Sequence, residues 1–239
     1  MIPQLLDLYC GAGGASMGYA RAGFRVTGVD LKPQPRYPFR FIQADAMRVL
    51  AGHVLDLAPF TAIHASPPCQ LFSRATVAPG VRDAHVDLLT PTRVALDAIG
   101  KPYVIENVEG APLRNPVTLC GTEFGLRAWD ETSGLTLWLK RHRLFESWPV
   151  FLMGAGGCHC SAGRAKGVIG GVYGGGSNDR NRARTVRHGG YTPPTDVRGP
   201  LLGVDWPMTQ YELSQAIPPA YTHFLGLQLM DALVPEEAW

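Results

Sequence analysis

The 239-residue chain has no long hydrophobic run, and nothing in it approaches the ~18 consecutive apolar residues that a membrane span requires. Its first residues, MIPQLLDLYCGAGG, carry neither a basic leader nor a small-residue cleavage site. No membrane partner is therefore expected, and the cytoplasm is the expected location. Cysteine is sparse and odd in number, five in all. Such scattered thiols do not make a disulfide framework; they point to a reducing compartment in which some are free for chemistry. Charge of one sign is also lacking, with a formal net charge of +2 that says little about partners by itself. There is no internal repeat and no long low-complexity tract.

What is present is a 46% hydrophobic composition in a chain long enough to close a full-sized core, as one large domain or one domain with a small appendage. The near-neutral total hides a basic part. From Val150 to Pro200 there are seven Arg or Lys (Arg164, Lys166, Arg180, Arg182, Arg184, Arg187, Arg198) against two acids, Asp179 and Asp196, together with 13 of the 28 glycines.

Before residue 110, short apolar runs alternate with helical patterns, the signature of βα units feeding a mostly parallel sheet and hence of an α/β fold. LLDL reads as a first strand, followed by the turn Gly11 to Gly14 and a helix that Gly23 stops. FRVTGVD, ending at Asp30, and FRFIQ, leading to Asp45, read as the next strands. FTAIHA makes a fourth and delivers SPPCQ to the edge at which open α/β sheets bind ligands. A helix is expected with Thr90 as N-cap and Pro91 at its first position, closing before Gly100. PYVIEN then brings Glu106 and Asn107 to the same edge, and LKRHRLFES reads as a further strand. The glycine- and arginine-rich segment shows turn signals and no sustained periodicity, as an inserted small domain or a set of loops would. From Trp206 the pattern recovers, and IPPAYTHFLGLQLMDAL is expected to form a helix that packs back onto the first domain.

A glycine turn after a strand is a weak sign alone, because such glycines often serve only to let strand and helix approach. Asp30, about twenty residues on at the end of the second strand, strengthens a cofactor reading, since a carboxylate there accepts from ribose hydroxyls. The turn lacks the later glycine of a dinucleotide fingerprint and the Lys-Ser/Thr of a P-loop, so S-adenosylmethionine fits better than a pyrophosphate or triphosphate ligand. Asp45 has two readings, an acceptor for the adenine amino group or the cap of a helix starting at Ala46. Cys69 also has two, an inert buried thiol or a nucleophile aimed by the fixed φ angles of Pro67 and Pro68, with Arg141 and Arg143 available to favour its thiolate. Glu106 closes an apolar strand, where desolvation raises a carboxyl pKa and keeps it able to donate; the plainer reading is a sheet-end acid paired with an arginine. Cys158 and Cys160, with His159 between them, look like half of a zinc site. Their one-residue gap is not the usual two to four, so no metal is expected, and Cys120 and His188 are the partners such a site would need.

In order along the chain, DLYCGAGG, VD, AD, SPPCQLFS, ENV, RHR and SQAIPP resemble the cytosine-5 DNA methyltransferases of bacteria and phages. The resemblance covers residues 5 to about 147 and about 206 to 230 and leaves the basic insert unmatched. Leu139 stands where the family has Gln, and SQAIPP where Gly-Asn-Ser-Val-Pro is usual. The resemblance implies a Rossmann-like S-adenosylmethionine-dependent sheet (1–147), a small DNA target-recognition region (148–205), and a C-terminal segment (206–239) that returns to the catalytic domain. It implies that Tyr9, Gly11, Gly13, Asp30, Leu31, Asp45, Pro68 and Gln215 hold S-adenosylmethionine, which leaves as S-adenosylhomocysteine. Cys69 would attack carbon 6 of a cytosine flipped out of double-stranded DNA. Glu106, Arg143, Arg141 and Asn107 would support that attack, and Gln70, Ser73, Arg180, Arg182 and Arg184 would hold the DNA. A monomer is expected. Three other functions stay open: the same chemistry on RNA or a free nucleotide, amino-group methylation, which would have no use for Cys69, and a DNA-binding homologue without catalysis.

Overall fold

The computed structural model describes residues 2–72, 86–150, 152–160, 168–173 and 191–233. The first strand, β1 (Gln4–Leu8), alternates sides as a strand must, sending Leu5 into one apolar cluster and Leu6 and Leu8 into another. The strands that follow are β2 (Arg25–Asp30), β3 (Arg40–Gln43), β4 (Ala62–Ala65), β5 (Tyr103–Asn107), β6 (Val117–Leu119), β7 (Arg127–Asp130), β8 (Leu135–Leu139), β9 (Arg143–Trp148) and β10 (Val168–Gly170). Of these, β2, β4 and β5 divide in the same way. Seven strands form one sheet in the order β3-β2-β1-β4-β5-β9-β6. Pairing is parallel from β3 through β5, and β9 runs antiparallel to both of its neighbours. The chain first winds outward from β1 to β3 and then returns to lay β4 on the other side of β1. That reversal opens a crevice at the carboxyl ends of the parallel strands.

Helices α1 (Gly14–Arg21), α2 (Ala46–Leu50) and α3 (Leu89–Ile99) are followed by α4 (Thr195–Leu202), α5 (Gln210–Gln215) and α6 (Pro219–Leu233). Tyr19 of α1 and Tyr221, Leu225 and Leu229 of α6 share the Leu5 face, while Val49 of α2 and Leu89 and Leu96 of α3 cover the Leu6 face. Both faces of the parallel strands are thus buried, as such sheets require. The C-terminal helix does return to the first domain. Among the described residues, no helix is long and apolar enough to cross a membrane.

Three expectations change. Helix α3 begins at Leu89 rather than after Thr90, because Asp87 Oδ1 accepts from Leu89 N at 2.9 Å and Thr90 N at 3.2 Å and so caps the turn earlier. The run LKRHRLFES is not one strand. Leu139 ends β8 and Arg143 begins β9, which belong to different sheets, with Lys140, Arg141 and His142 as the corner between them. The second sheet, in the order β10-β8-β7, therefore takes two strands from before residue 148, so the expected division at 147/148 does not coincide with the two sheets. Its core joins Leu137 and Leu139 to Val172, Tyr191, Leu201 and Leu213.

Helices α1 and α6 cross with almost no space between them. A Cβ at Gly18 would lie 2.0 Å from Thr222 Oγ1 and 2.2 Å from Pro219 O. Backbone cannot yield as a flexible side chain can, so Gly18→Ala is expected to destabilise the fold by about 1–3 kcal/mol. A lower urea midpoint with an unchanged slope is the expected result.

Candidate active site

The turn after β1 bends sharply, with φ of 60° at Tyr9, 50° at Gly11 and 90° at Gly13. Its two expected cofactor glycines turn out to differ. A Cβ at Gly11 would meet nothing within 4 Å, whereas one at Gly13 would strike Pro38 Cδ at 2.8 Å and the Tyr37 ring at 3.1 Å. Gly11 therefore borders open space, while Gly13 is small so that Tyr37 and Pro38 can pack. The open space is a cavity of about 680 Å³ at the crevice; its lining includes Gly11 but not Gly13.

Asp30 ties this turn to the end of β2, accepting from Gly11 N at 3.1 Å and Lys32 N at 2.9 Å on separate oxygens. Asp45 caps α2 through Oδ1, which accepts from Met47 N at 2.7 Å and Arg48 N at 3.4 Å. It also lines the cavity, so its two readings are compatible. Tyr9 hydrogen-bonds Thr92 Oγ1 at 2.9 Å and lines the cavity with Pro68, Gln215 and the exposed Leu31.

Cys69 lies past the end of β4, in the lining of the same cavity as Glu106, Arg143, Arg141 and Gln70. Asn107 is not in the lining. Its Nδ2 donates to Pro67 O at 3.0 Å, and its Oδ1 accepts from Val108 N at 2.9 Å, so it anchors the proline pair that carries Cys69. Glu106 is paired with Arg143, whose Nε stands 3.0 Å from its carboxylate, and burial nevertheless raises its pKa. The expected thiolate preference at Cys69 is not met. Burial, then the charge of Glu106, raise its pKa, and they outweigh the opposing influence of Arg143 and Arg141.

Arg141 is a brace. Its guanidinium donates to Val172 O and Ser214 O, each at 2.8 Å, and Tyr221 Oη donates to its backbone carbonyl at 2.6 Å. Side chain and backbone of this one residue thus join the segment after β10, α5 and α6 to the corner before β9. Burial pushes its pKa down to about 9. A capping box between Thr209 and Glu212 closes the start of α5, and the helix is held to the N-terminal residues by Arg36 on Glu212 at 3.1 Å and by Trp206 Nε1 donating to Ala12 O at 3.1 Å.

No protein-family model matches the chain. It is 30% identical over 124 residues to the type II methyltransferase M.AquIA of Picosynechococcus sp., a match covering 46% of this chain and 50% of that protein. It is 29% identical over 115 residues to the type II methyltransferase M.FnuDI of Fusobacterium nucleatum, covering 45% of this chain and 33% of that protein. The chain thus spans half or less of the length of the curated relatives it matches. Over about half its length, the chain is thus similar in sequence to two type II methyltransferases. Solved structures agree on the fold. One is a putative DNA modification methyltransferase encoded within an Escherichia coli prophage, with a TM-score of 0.57 at 14% identity, covering 96% of this chain and 99% of that one. Another is Dnmt2 of Schizosaccharomyces pombe, with a TM-score of 0.60 at 12% identity, covering 98% and 99%. The family resemblance carried by the ordered motifs and the α/β methyltransferase fold expected from it both stand.

Within this methyltransferase fold, Ser73, Arg180, Arg182, Arg184 and His188 lie outside the described residues. Of the seven cations counted between Val150 and Pro200, only Arg198 lies within them, and it is not a surface charge. It is 1% exposed, with Nε donating to Pro193 O at 2.8 Å, so it serves the core of the small sheet. Motif reading also passed over two polar groups. Asp7 hydrogen-bonds Ser16, is raised to about 7 by burial, and among the described residues keeps Oδ1 buried without a partner in the cavity wall. Behind Glu106, Ser66 links its carboxyl to His64 Nε2 at 2.9 Å, and His64 Nδ1 meets Tyr19 Oη at 3.0 Å. Burial holds His64 down to about 3, so the relay is uncharged. The signal in each case was a polar residue inside an apolar strand.

Because Cys69 is raised by burial and by Glu106, its alkylation by iodoacetamide is expected to be slow at neutral pH and to accelerate as pH rises. Glu106→Gln removes the opposing charge and is expected to speed it several-fold, and Arg143→Gln to slow it. Peptide mapping of the Cys69 adduct across pH checks this order.

Proposed function

We propose that this chain is an S-adenosylmethionine-dependent DNA (cytosine-5)-methyltransferase. The observation that carries the reading is the convergence of Cys69, Glu106 and Arg143 on one cavity that Asp30 and Asp45 also line. The cavity suits the cofactor. Gly11 leaves it open, Asp30 and Asp45 stand at strand ends as acceptors, and the unpartnered Asp7 Oδ1 is an acceptor for an N–H group. Tyr9, Gly11, Asp30, Leu31, Asp45, Pro68 and Gln215 would hold it, with Gly13 shaping the turn.

Cys69 gives up its thiol proton to solvent and its Sγ adds to carbon 6 of cytosine, displacing the electron pair of the carbon-5–carbon-6 double bond toward carbon 5. A protonated Glu106 donates to the ring nitrogen and accepts from the exocyclic amine, and Arg143 holds the ring carbonyl, so both stabilise charge as it develops. When bound, S-adenosylmethionine supplies an electrophilic methyl group for carbon 5. Loss of the carbon-5 proton then restores the ring double bond and expels the Cys69 thiolate. Asn107 and Arg141 act through position, the first on the Pro67–Pro68 loop and the second on the corner carrying Arg143. The base must leave the duplex to reach Cys69, at about a few kcal/mol. Phosphate contacts from the basic insert, including Arg180, Arg182 and Arg184, with Gln70 and Ser73 beside the extracted nucleotide, would offset that penalty.

Duplex DNA containing 5-fluorocytosine is expected to become covalently attached when S-adenosylmethionine is present, because fluorine cannot leave as a proton does, and Cys69→Ala is expected to abolish the adduct. Glu106→Gln is expected to lower methyl transfer by about 10²–10³-fold. Carbon-5 methylation by the Cys69→Ala variant, read by methylation-sensitive sequencing, would overturn the mechanism.

A further inference from the structure

Three of the five cysteines, other than Cys10 and Cys69 of the cavity lining, meet one histidine in a cluster. Cys120 follows β6, His142 sits in the corner between β8 and β9, and Cys158 and Cys160 lie beyond β9. Their ligand atoms all lie within 4.8 Å of one another. Cys120 Sγ is 3.2 Å from Cys160 Sγ, and His142 Nε2 is 3.2 Å from Cys158 Sγ and 3.7 Å from Cys160 Sγ. A tetrahedral zinc ion, with Zn–S near 2.3 Å and Zn–N near 2.0–2.1 Å, places its ligand atoms roughly 3.5–3.8 Å apart. The observed spacings bracket that range.

The surroundings match what such a site needs. His142 presents Nε2 to the thiols, while its Nδ1 lies 3.1 Å from Glu109 Oε1, the carboxylate support that orients a metal-bound imidazole. Cys160 N donates to Cys158 Sγ at 3.3 Å, and Thr122 Oγ1 donates to Cys120 Sγ at 3.5 Å. Thr122 Oγ1 also accepts from His159 N at 3.1 Å and so fixes the backbone between the paired cysteines. A one-residue gap between two cysteines does not announce zinc, and no metal was expected from it. The fold supplies Cys120, which sequence reasoning named as a partner, and His142, which it did not; His188 lies outside the described residues.

We propose that Cys120, His142, Cys158 and Cys160 bind one Zn²⁺ in a closed, four-coordinate structural site. His142 stands between Arg141 and Arg143, so the ion staples the segment leading into the glycine- and arginine-rich insert to the corner that carries both arginines. His142 and Glu109 also border the cavity, but none of the four ligands takes a role in the proposed cytosine chemistry, so the site is tested without it.

The full chain, expressed with added zinc and purified under reducing conditions without chelator, is expected to carry one zinc per chain by elemental analysis. Replacing zinc with Co²⁺ is expected to give the intense visible bands of a tetrahedral site together with thiolate-to-cobalt charge transfer. Cys158→Ser, at the exposed ligand, is expected to lose stoichiometric zinc and the cobalt charge-transfer intensity of one thiolate. Glu109→Gln is expected to keep the site but weaken it by about 10–100-fold in competition with a chromophoric chelator. A chelator is expected to lower the melting temperature of the parent chain and leave that of Cys158→Ser unchanged. Zinc at background level with no tetrahedral cobalt spectrum overturns the proposal. So does a Cys120–Cys160 disulfide in the freshly purified protein, or a cobalt spectrum unchanged in a Cys158→Ser, His142→Gln double variant.

Discussion

The antiparallel return of β9 against β5 is the constraint on which the site depends. Asn107 opposes Leu144 and Glu106 opposes Phe145, so Arg143 arrives at the end of β5, where Glu106 is buried. A buried carboxylate without a counter-charge is strongly destabilising, and the guanidinium at 3.0 Å answers it. The same register turns Glu146 to the other side of the sheet. There it meets Arg93 of α3 at 2.7 Å, a second buried pair that fastens the helix to the strand. Neighbouring Asn107 reaches back to Pro67 O, so one strand pairing sets the positions of the carboxyl, the guanidinium and the loop that carries the thiol.

This arrangement works through opposed influences. Burial disfavours the charged forms of both Cys69 and Glu106, and Arg143 favours both. The same low-dielectric setting that makes a thiolate costly strengthens every interaction with charge that appears there later. Behind Glu106, the uncharged chain of Ser66, His64 and Tyr19 adds no competing charge. Arg141 extends the coupling outward. By bonding carbonyls of two separate segments, it makes the corner before β9 the meeting point of the large sheet, the small sheet and the C-terminal helices.

Much of the parallel half was legible along the chain. Apolar runs of strand length alternated with helical patterns, and β1 to β5, α1 and the last helix fall where those patterns place them. Local chemistry misled at three points. The backbone before α3 is capped by Asp87, which a Thr-Pro signal concealed. LKRHRLFES is split because Arg141 finds its partners on Val172 and Ser214, distant segments that no window across residues 139–147 contains. Gly11 and Gly13 look alike in a motif, yet one borders a cavity and the other borders Tyr37 and Pro38. Asp45 caps α2 and Glu106 pairs with Arg143, and each also lines the cavity, where a carboxylate oxygen has more than one acceptor direction.

By itself, the sequence determined the order of the strands and helices of the parallel half, the placement of a stiffened cysteine and a glutamate at strand ends, and the family resemblance, because periodicity, proline geometry and short motifs are properties of neighbouring residues. Only the tertiary structure decided which distant groups share a cavity, that Arg198 is buried, and that His142 joins three cysteines. Those facts arise from strand register and from the corner between two sheets, where residues far apart in the chain come within bonding distance. Spacing along a chain carries no information about that distance until the sheets have formed.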